Sequence, residues 1–142
     1  MEESTIDAQS VSRLVAQAAA DKKAQQLTVL DVDGKTSYCD RFVLCNGTNS
    51  RQVKSIAEHI LKQAEEGGAT CLGTEGMNSC RWVLIDLGDV VVHIFQDELR
   101  GYYDLDGLWV DAKRIPLNEL GLSEADLPQI DPAIARWGAG AR

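Results

Sequence analysis

Two apolar runs, Arg81-Trp82-Val83-Leu84-Ile85-Asp86-Leu87 and Val90-Val91-Val92-His93-Ile94-Phe95, are separated only by the pair Gly88-Asp89. That arrangement predicts a tight β-hairpin, because a two-residue loop closes only between antiparallel neighbours and glycine readily takes the backbone conformation such loops need. Counting outward from the loop fixes the register: Leu87 opposite Val90, Ile85 opposite Val92, Val83 opposite Ile94. Side chains alternate along a strand, so these six share one face, and all six are aliphatic. That face is core. The other face pairs Asp86 with Val91, Leu84 with His93 and Trp82 with Phe95. Two readings of it stand side by side. Under the first, a further layer covers it, as happens to central strands of α/β sheets, and Trp82, Phe95 and His93 are packing. Under the second, it is an apolar and aromatic patch with polar punctuation, of the kind that marks binding surfaces.

The rest of the chain supplies elements to surround the hairpin. Val11, Leu14, Val15, Ala18 and Ala19 recur at helical spacing, and Ser4 and Asp7 stand upstream in capping-box spacing. Residues 27–32 and 41–46 read as strands, with Asp33-Gly34 as a turn between them. Gly47-Thr48-Asn49-Ser50 leads into a second helix whose apolar face is Val53, Ile56, Ala57, Ile60, Leu61 and Ala64, closed by Gly67-Gly68. Residues 70–72 predict a short strand, 75–79 a loop, 97–106 a helix and 108–110 a second extended piece. Helices alternating with strands around a tight hairpin predict an α/β (α+β) fold with a mixed β-sheet and flanking helices. Pro116, Pro128 and Pro132 set residues 116–142 apart from the 1–115 domain as a C-terminal tail of unassigned role. Within it, Leu117, Leu120 and Leu122 can form one helical turn that packs back.

Charge narrows the partner. With 14 Lys and Arg against 22 Asp and Glu, the formal net charge is −8. Nucleic-acid binders usually carry a basic patch, so little direct nucleic-acid contact is expected. Acidity suits a basic partner, although it also serves solubility. Tyr102, Tyr103, Leu105, Leu108 and Trp109 are crowded together and interleaved with Asp104, Asp106 and Asp111. Aromatic residues flanked by carboxylates fit a basic surface with apolar dents, or cap a sheet edge. The cysteines Cys39, Cys45, Cys71 and Cys80 form no C-x-x-C pair and the histidines are His59 and His93, so neither a zinc site nor another cofactor is expected. The acidic start Met1-Glu2-Glu3-Ser4 has no apolar signal region, and no run approaches the roughly 20 apolar residues of a membrane helix. The expected location is cytoplasmic.

Catalysis finds little support. Gly47-Thr48-Asn49-Ser50 follows a strand and opens a helix, where backbone N–H groups can hold phosphate, so a nucleotidyltransferase-like enzyme is the alternative to weigh. Such enzymes carry two metal-binding carboxylates two positions apart on the strand that follows. Asp86 and Asp89 are three apart and straddle a turn. Asp31 and Asp33 precede the glycine element, and Asp104 and Asp106 lie far beyond it. No Gly-x-Ser-x-Gly elbow is present. A protein-interaction module is the third possibility, which the aromatic and acidic residues alone would serve.

Several segments together resemble one known family. Asp31-Val32-Asp33-Gly34, Asp40-Arg41-Phe42 and Gly47-Thr48-Asn49-Ser50-Arg51-Gln52-Val53-Lys54 resemble the first half of the ribosomal silencing factor (Iojap) family. The run from Trp82 to His93 resembles its central signature, and Tyr103-Asp104-Leu105 with Leu108-Trp109-Val110-Asp111-Ala112 its closing segment. The resemblance spans about residues 8–115 in order. It implies a nucleotidyltransferase-like topology without the enzyme's chemistry. It implies binding to the large ribosomal subunit through a basic protein of its intersubunit face, the universally present large-subunit protein fourteen. It further implies a block to small-subunit joining that lowers translation when nutrients are scarce, and a possible homodimer when free. Carried over by position, the partner-binding residues would be Trp82, Asp86, Asp89, His93, Tyr103, Leu105 and Trp109, with no catalytic residue and no metal.

Overall fold

The computed structural model describes residues 6–123. Asp7 accepts the Ser10 amide at 2.8 Å and starts helix α1 (Ala8–Asp21). The cap is therefore Asp7 itself, not the far end of a capping box, and Ser4 lies outside the described residues. Strand β1 (Gln25–Asp31) runs antiparallel to β2 (Arg41–Gly47). Asn49 accepts the Gln52 amide at 2.9 Å and starts α2 (Ser50–Glu66), which buries Val53, Ile56, Ala57, Ile60 and Ala64. β3 (Gly73–Glu75), β4 (Trp82–Asp86) and β5 (Val90–Gln96) follow. The expected hairpin forms in the expected register, with Trp82 opposite Phe95, Leu84 opposite His93 and Ile85 opposite Val92. Leu87 donates to the Val90 carbonyl at 2.9 Å, and Gly88 takes φ +88°, the left-handed backbone that a two-residue loop asks of its first residue.

The sheet has six strands in the order β3-β4-β5-β2-β1-β6, the last being Lys113–Arg114. β2 and β5 pair in parallel and every other pair is antiparallel, so the sheet is mixed, as the sequence predicts. Alternation along β2 divides the core in two. Val43 and Cys45 join Val83, Ile85, Val92 and Ile94 under α1 and α2. Phe42 and Leu44 join Leu30, Val32, Cys39, Phe95 and Ala112 on the other side, where Trp82, Leu105 and Trp109 pack partly over them. A 3₁₀ turn (Leu117–Leu120) closes the first layer, burying Leu120 and Leu122 while Gln9 donates to the Glu119 carbonyl at 3.2 Å.

Three expectations are corrected. Residues 70–72 are not the short strand. Leu72 donates to the Asp86 carbonyl at 2.8 Å, and the paired residues Gly73–Glu75 form an exposed edge with no apolar alternation to betray it. The helix expected over 97–106 is broken into α3 (Asp97–Tyr103) and α4 (Leu105–Leu108). Asp104 sits between them at φ 51°, donating its N–H to the Arg100 carbonyl while its side chain caps the Gly107 amide at 3.0 Å. Residues 108–110 are not extended either: Val110 donates back to Gly107 and Ala112 to Trp109, so the chain turns before β6.

Candidate functional site

The second face of the hairpin carries a connected set of rings. The Trp82 indole stacks on Phe95 with centroids 5.2 Å apart, and Tyr103 from the end of α3 lies 4.5 Å from Trp82. Tyr102 meets Tyr103 edge-on at 5.1 Å. Phe42 meets His93 edge-on at 5.3 Å and Trp109 at 5.2 Å. The face is packed in part and exposed in part. Phe95 is fully buried and His93 is 6% exposed, which is packing, while Tyr103 is 44% exposed and Tyr102, Leu108 and Val110 stand well out in solvent. The α3–α4 segment covers one end of the face and leaves an aromatic rim.

The seven residues singled out by sequence fall into two groups. Trp82, His93, Tyr103, Leu105 and Trp109 come together around the Phe42–Phe95 layer, with Leu105 and Trp109 half-buried against it. Asp86 and Asp89 lie at the hairpin's turn end. Asp86 is half-buried and accepts the Gly88 amide at 2.9 Å. Asp89 is exposed, and its carbonyl receives the Asp40 and Arg41 amides at 2.8 and 3.0 Å, tying the turn to the start of β2. The neighbourhood is strongly acidic. The Asp40 carboxyl is held above the usual carboxylate range by partial desolvation and then by the charges of Asp33, Asp89 and Asp31.

His93 has little surface to offer a partner. Its Nδ1 accepts the Trp82 indole N–H at 3.0 Å, so the ring proton sits on Nε2, and the bond orients the indole. Burial pushes its pKa down to about 4, so it is neutral at pH 7. This sets a pH dependence. Between about 6.5 and 4 the unfolded chain takes up a proton that the folded chain refuses, so stability falls as pH drops through that window. The expected loss is roughly 2–3 kcal/mol by pH 4. Urea unfolding at pH 7 and pH 4.5 should show a steeper fall for the native chain than for His93→Gln, whose amide oxygen keeps the indole bond. Equal falls would show that His93 is not buried neutral.

Sequence reasoning placed Leu84 and Val91 on this face but did not single out Tyr38 or Phe42. Together with Asp86 and His93 they surround an open hollow of about 310 Å³ beside the aromatic rim. A lone tyrosine in the polar loop Lys35-Thr36-Ser37-Tyr38 was the available signal, and it stands 84% exposed. A buried polar cluster was missed as well: Asn46 donates to Asp97 at 2.6 Å, and Arg100 donates to Asn46 at 3.0 Å and to Thr28 at 2.9 Å.

The start of α2 is occupied by its own side chains. Gln52 Oε1 accepts from the Thr48 amide at 2.7 Å and the Thr48 hydroxyl at 2.9 Å, and Asn49 takes the Gln52 amide. Among the described residues, no group of three or more His, Cys, Asp or Glu side chains converges on a metal position, and no helix is long and apolar enough to cross a membrane.

Comparison with known proteins gives a consistent result. Residues 5–136 match the family model described as "Ribosomal silencing factor during starvation", which extends past residue 115 into the segment set apart as a tail. The ribosomal silencing factor of Bacillus subtilis is 43% identical over 111 residues, covering 78% of this chain and 92% of that protein. A crystal structure of a Chromobacterium violaceum protein is similar with a TM-score of 0.72 and 37% identity, covering 74% of this chain and 88% of that one. A second, from Bacillus halodurans, has a TM-score of 0.68 and 41% identity, covering 76% and 98%.

Proposed function

We propose that this chain, which belongs to the ribosomal silencing factor family, represses translation in the cytoplasm by docking on the large ribosomal subunit and standing where the small subunit must join. The partner is a basic protein of the intersubunit face, large-subunit protein fourteen. The observation that carries this reading is one sheet face that holds the aromatic rim of Trp82 and Tyr103 at the open end of the hairpin and acidic side chains at its turn end. Partly buried aromatic side chains are frequent hot spots of protein interfaces. Carboxylates beside them steer a basic partner into place and disfavour others. The net charge of −8 repels phosphate backbones, which favours a reading in which protein–protein contact supplies the binding energy.

The mechanism is steric. Docking consumes no substrate, and the Gln52 and Asn49 side chains that take the Thr48 and Gln52 amides would compete with a phosphate at the start of α2. A homodimer formed through the same rim would compete with docking and release single copies on dilution. Purified chain is expected to sediment with large subunits at one copy per subunit, and subunit joining is expected to fall in proportion to occupancy. Inhibition by far less than one copy per subunit would overturn a steric block.

A further inference from the structure

The hollow lined by Tyr38, Phe42, Leu84, Asp86, Val91 and His93 has walls of one chemistry and a rim of another. Leu84, Val91 and Phe42 are apolar, and they lie side by side across three adjacent strands, β4, β5 and β2. Asp86 closes the end towards the hairpin turn. Its Oδ1 accepts the Gly88 amide at 2.9 Å, and its other oxygen has no hydrogen-bond partner among the described residues. No lysine or arginine lines the hollow. The nearest arginine on β2, Arg41, turns its guanidinium the other way and donates to Gln9 at 2.7 Å. His93 at the base is neutral at pH 7, so it does not repel a positive charge. Beyond the rim, Asp89, Asp40, Asp33 and Asp31 deepen the negative field.

We propose that this hollow seats one basic side chain of the docking partner, an alkyl guanidinium or alkyl ammonium group. The aliphatic stem lies on Leu84, Val91 and Phe42, the charged head reaches the free oxygen of Asp86, and Tyr38 closes over it. Three features favour this occupant over a purely apolar one. A long basic side chain is itself an apolar stem with a charged tip. A cation beside Asp86 gains a charge-assisted hydrogen bond that an apolar group would forgo. A cation over the ring of Tyr38 gains from the ring's electron-rich face. The volume of about 310 Å³ stands at the lower limit of ligand pockets, roughly 300–1,000 Å³, and an open hollow of that size fits a protruding side chain. The proposal rests on the docking reading above, and it assigns a role to Tyr38 that neither the sequence pattern nor the family comparison gives.

Two measurements test it and separate it from that reading. The first uses the isolated full chain and n-butylguanidinium as the probe, followed by backbone amide shifts on titration. Saturable shifts at Tyr38, Leu84, Asp86 and Val91, reduced at least tenfold in apparent affinity by Asp86→Asn and absent with n-pentanol, are expected. No shifts at these residues, or equal shifts with n-pentanol, overturn the proposal. The second compares large-subunit binding by Tyr38→Ala and Asp86→Asn with that by Tyr103→Ala. A loss of about tenfold in the first two supports the seat. If both bind as the native chain does while Tyr103→Ala fails, the seat is wrong and docking through the rim stands. If the native chain itself ignores the subunit, the docking reading fails, and with it the partner named for the seat.

Discussion

Replacing Tyr103 by alanine is expected to lower affinity for the large subunit about 30-fold, and replacing Trp82 as well to abolish detectable sedimentation. A truncated aromatic at an interface hot spot costs about 2 kcal/mol or more, which is close to a factor of 30 in the dissociation constant. Tyr103 is the cleaner probe. It ends α3, is 44% exposed and touches the fold mainly through Trp82 at 4.5 Å, so its removal should leave unfolding stability within about 1 kcal/mol of the native chain. Trp82 is less separable, because its indole covers Phe95 and donates to His93. Trp82→Ala strips cover from a buried ring and leaves His93 Nδ1 without its donor, so part of any lost binding would come from a disturbed face. Trp82→Phe keeps a stacked ring but removes the N–H and part of the indole's apolar area. It is expected to retain most binding and to lose about 1 kcal/mol of stability. Sedimentation of these four variants at fixed salt, beside their urea midpoints, decides the matter. Full binding by a folded Tyr103→Ala would remove Tyr103 from the interface.

The sequence made much of this face legible, and the reasons lie in particular residues. The two-residue loop at Gly88-Asp89 left a single register, and Trp82 does face Phe95 while Leu84 faces His93. The faces of α1 and α2 were equally plain, since helical periodicity over fourteen or more residues is difficult to mistake. What escaped was decided by contacts between distant segments. The alternation that sets His93 on the face of Val91 and Phe95 left open whether it packs or meets a partner; it is 6% exposed, and the Trp82 indole claims its Nδ1. The break at Asp104 depended on one carboxylate capping a short helix after closing another, and Asp104-Leu105-Asp106-Gly107 has the spacing for that cap. The strand at Gly73–Glu75 is fully exposed, so no hydrophobic alternation could announce it. Tyr38 gained meaning only once β2, β4 and β5 were laid side by side.

The buried cluster around Arg100 leads to the largest stability effect expected for a single residue. Arg100 is 3% exposed on α3 and donates to Asn46 Oδ1 at 3.0 Å, to the Thr28 hydroxyl at 2.9 Å and to the Gln26 carbonyl. Asn46 is fully buried and donates in turn to Asp97 at the start of α3. These bonds pin α3 to β2 and to the irregular start of β1, where the register shifts between Gln25 and Thr28 and Gln26 takes φ 52°. Arg100→Met keeps most of the volume and removes every donor, so Asn46 Oδ1, the Thr28 hydroxyl and the Gln26 carbonyl each lose a hydrogen bond. Removing one member of a buried charged network typically costs about 3–5 kcal/mol. For a chain of this length, that lowers the unfolding midpoint by roughly 10 °C. Arg51→Met, on the exposed side of α2, serves as the control and is expected to change stability by less than about 0.5 kcal/mol. Because α3 carries Tyr103 into the rim, the Arg100→Met chain should also bind the large subunit less tightly at temperatures where it is still folded. An unfolding midpoint within 2 °C of the native chain would mean that the cluster is replaceable packing, and that the apolar contacts of Leu99, Leu105 and Trp109 are enough to hold the rim in place.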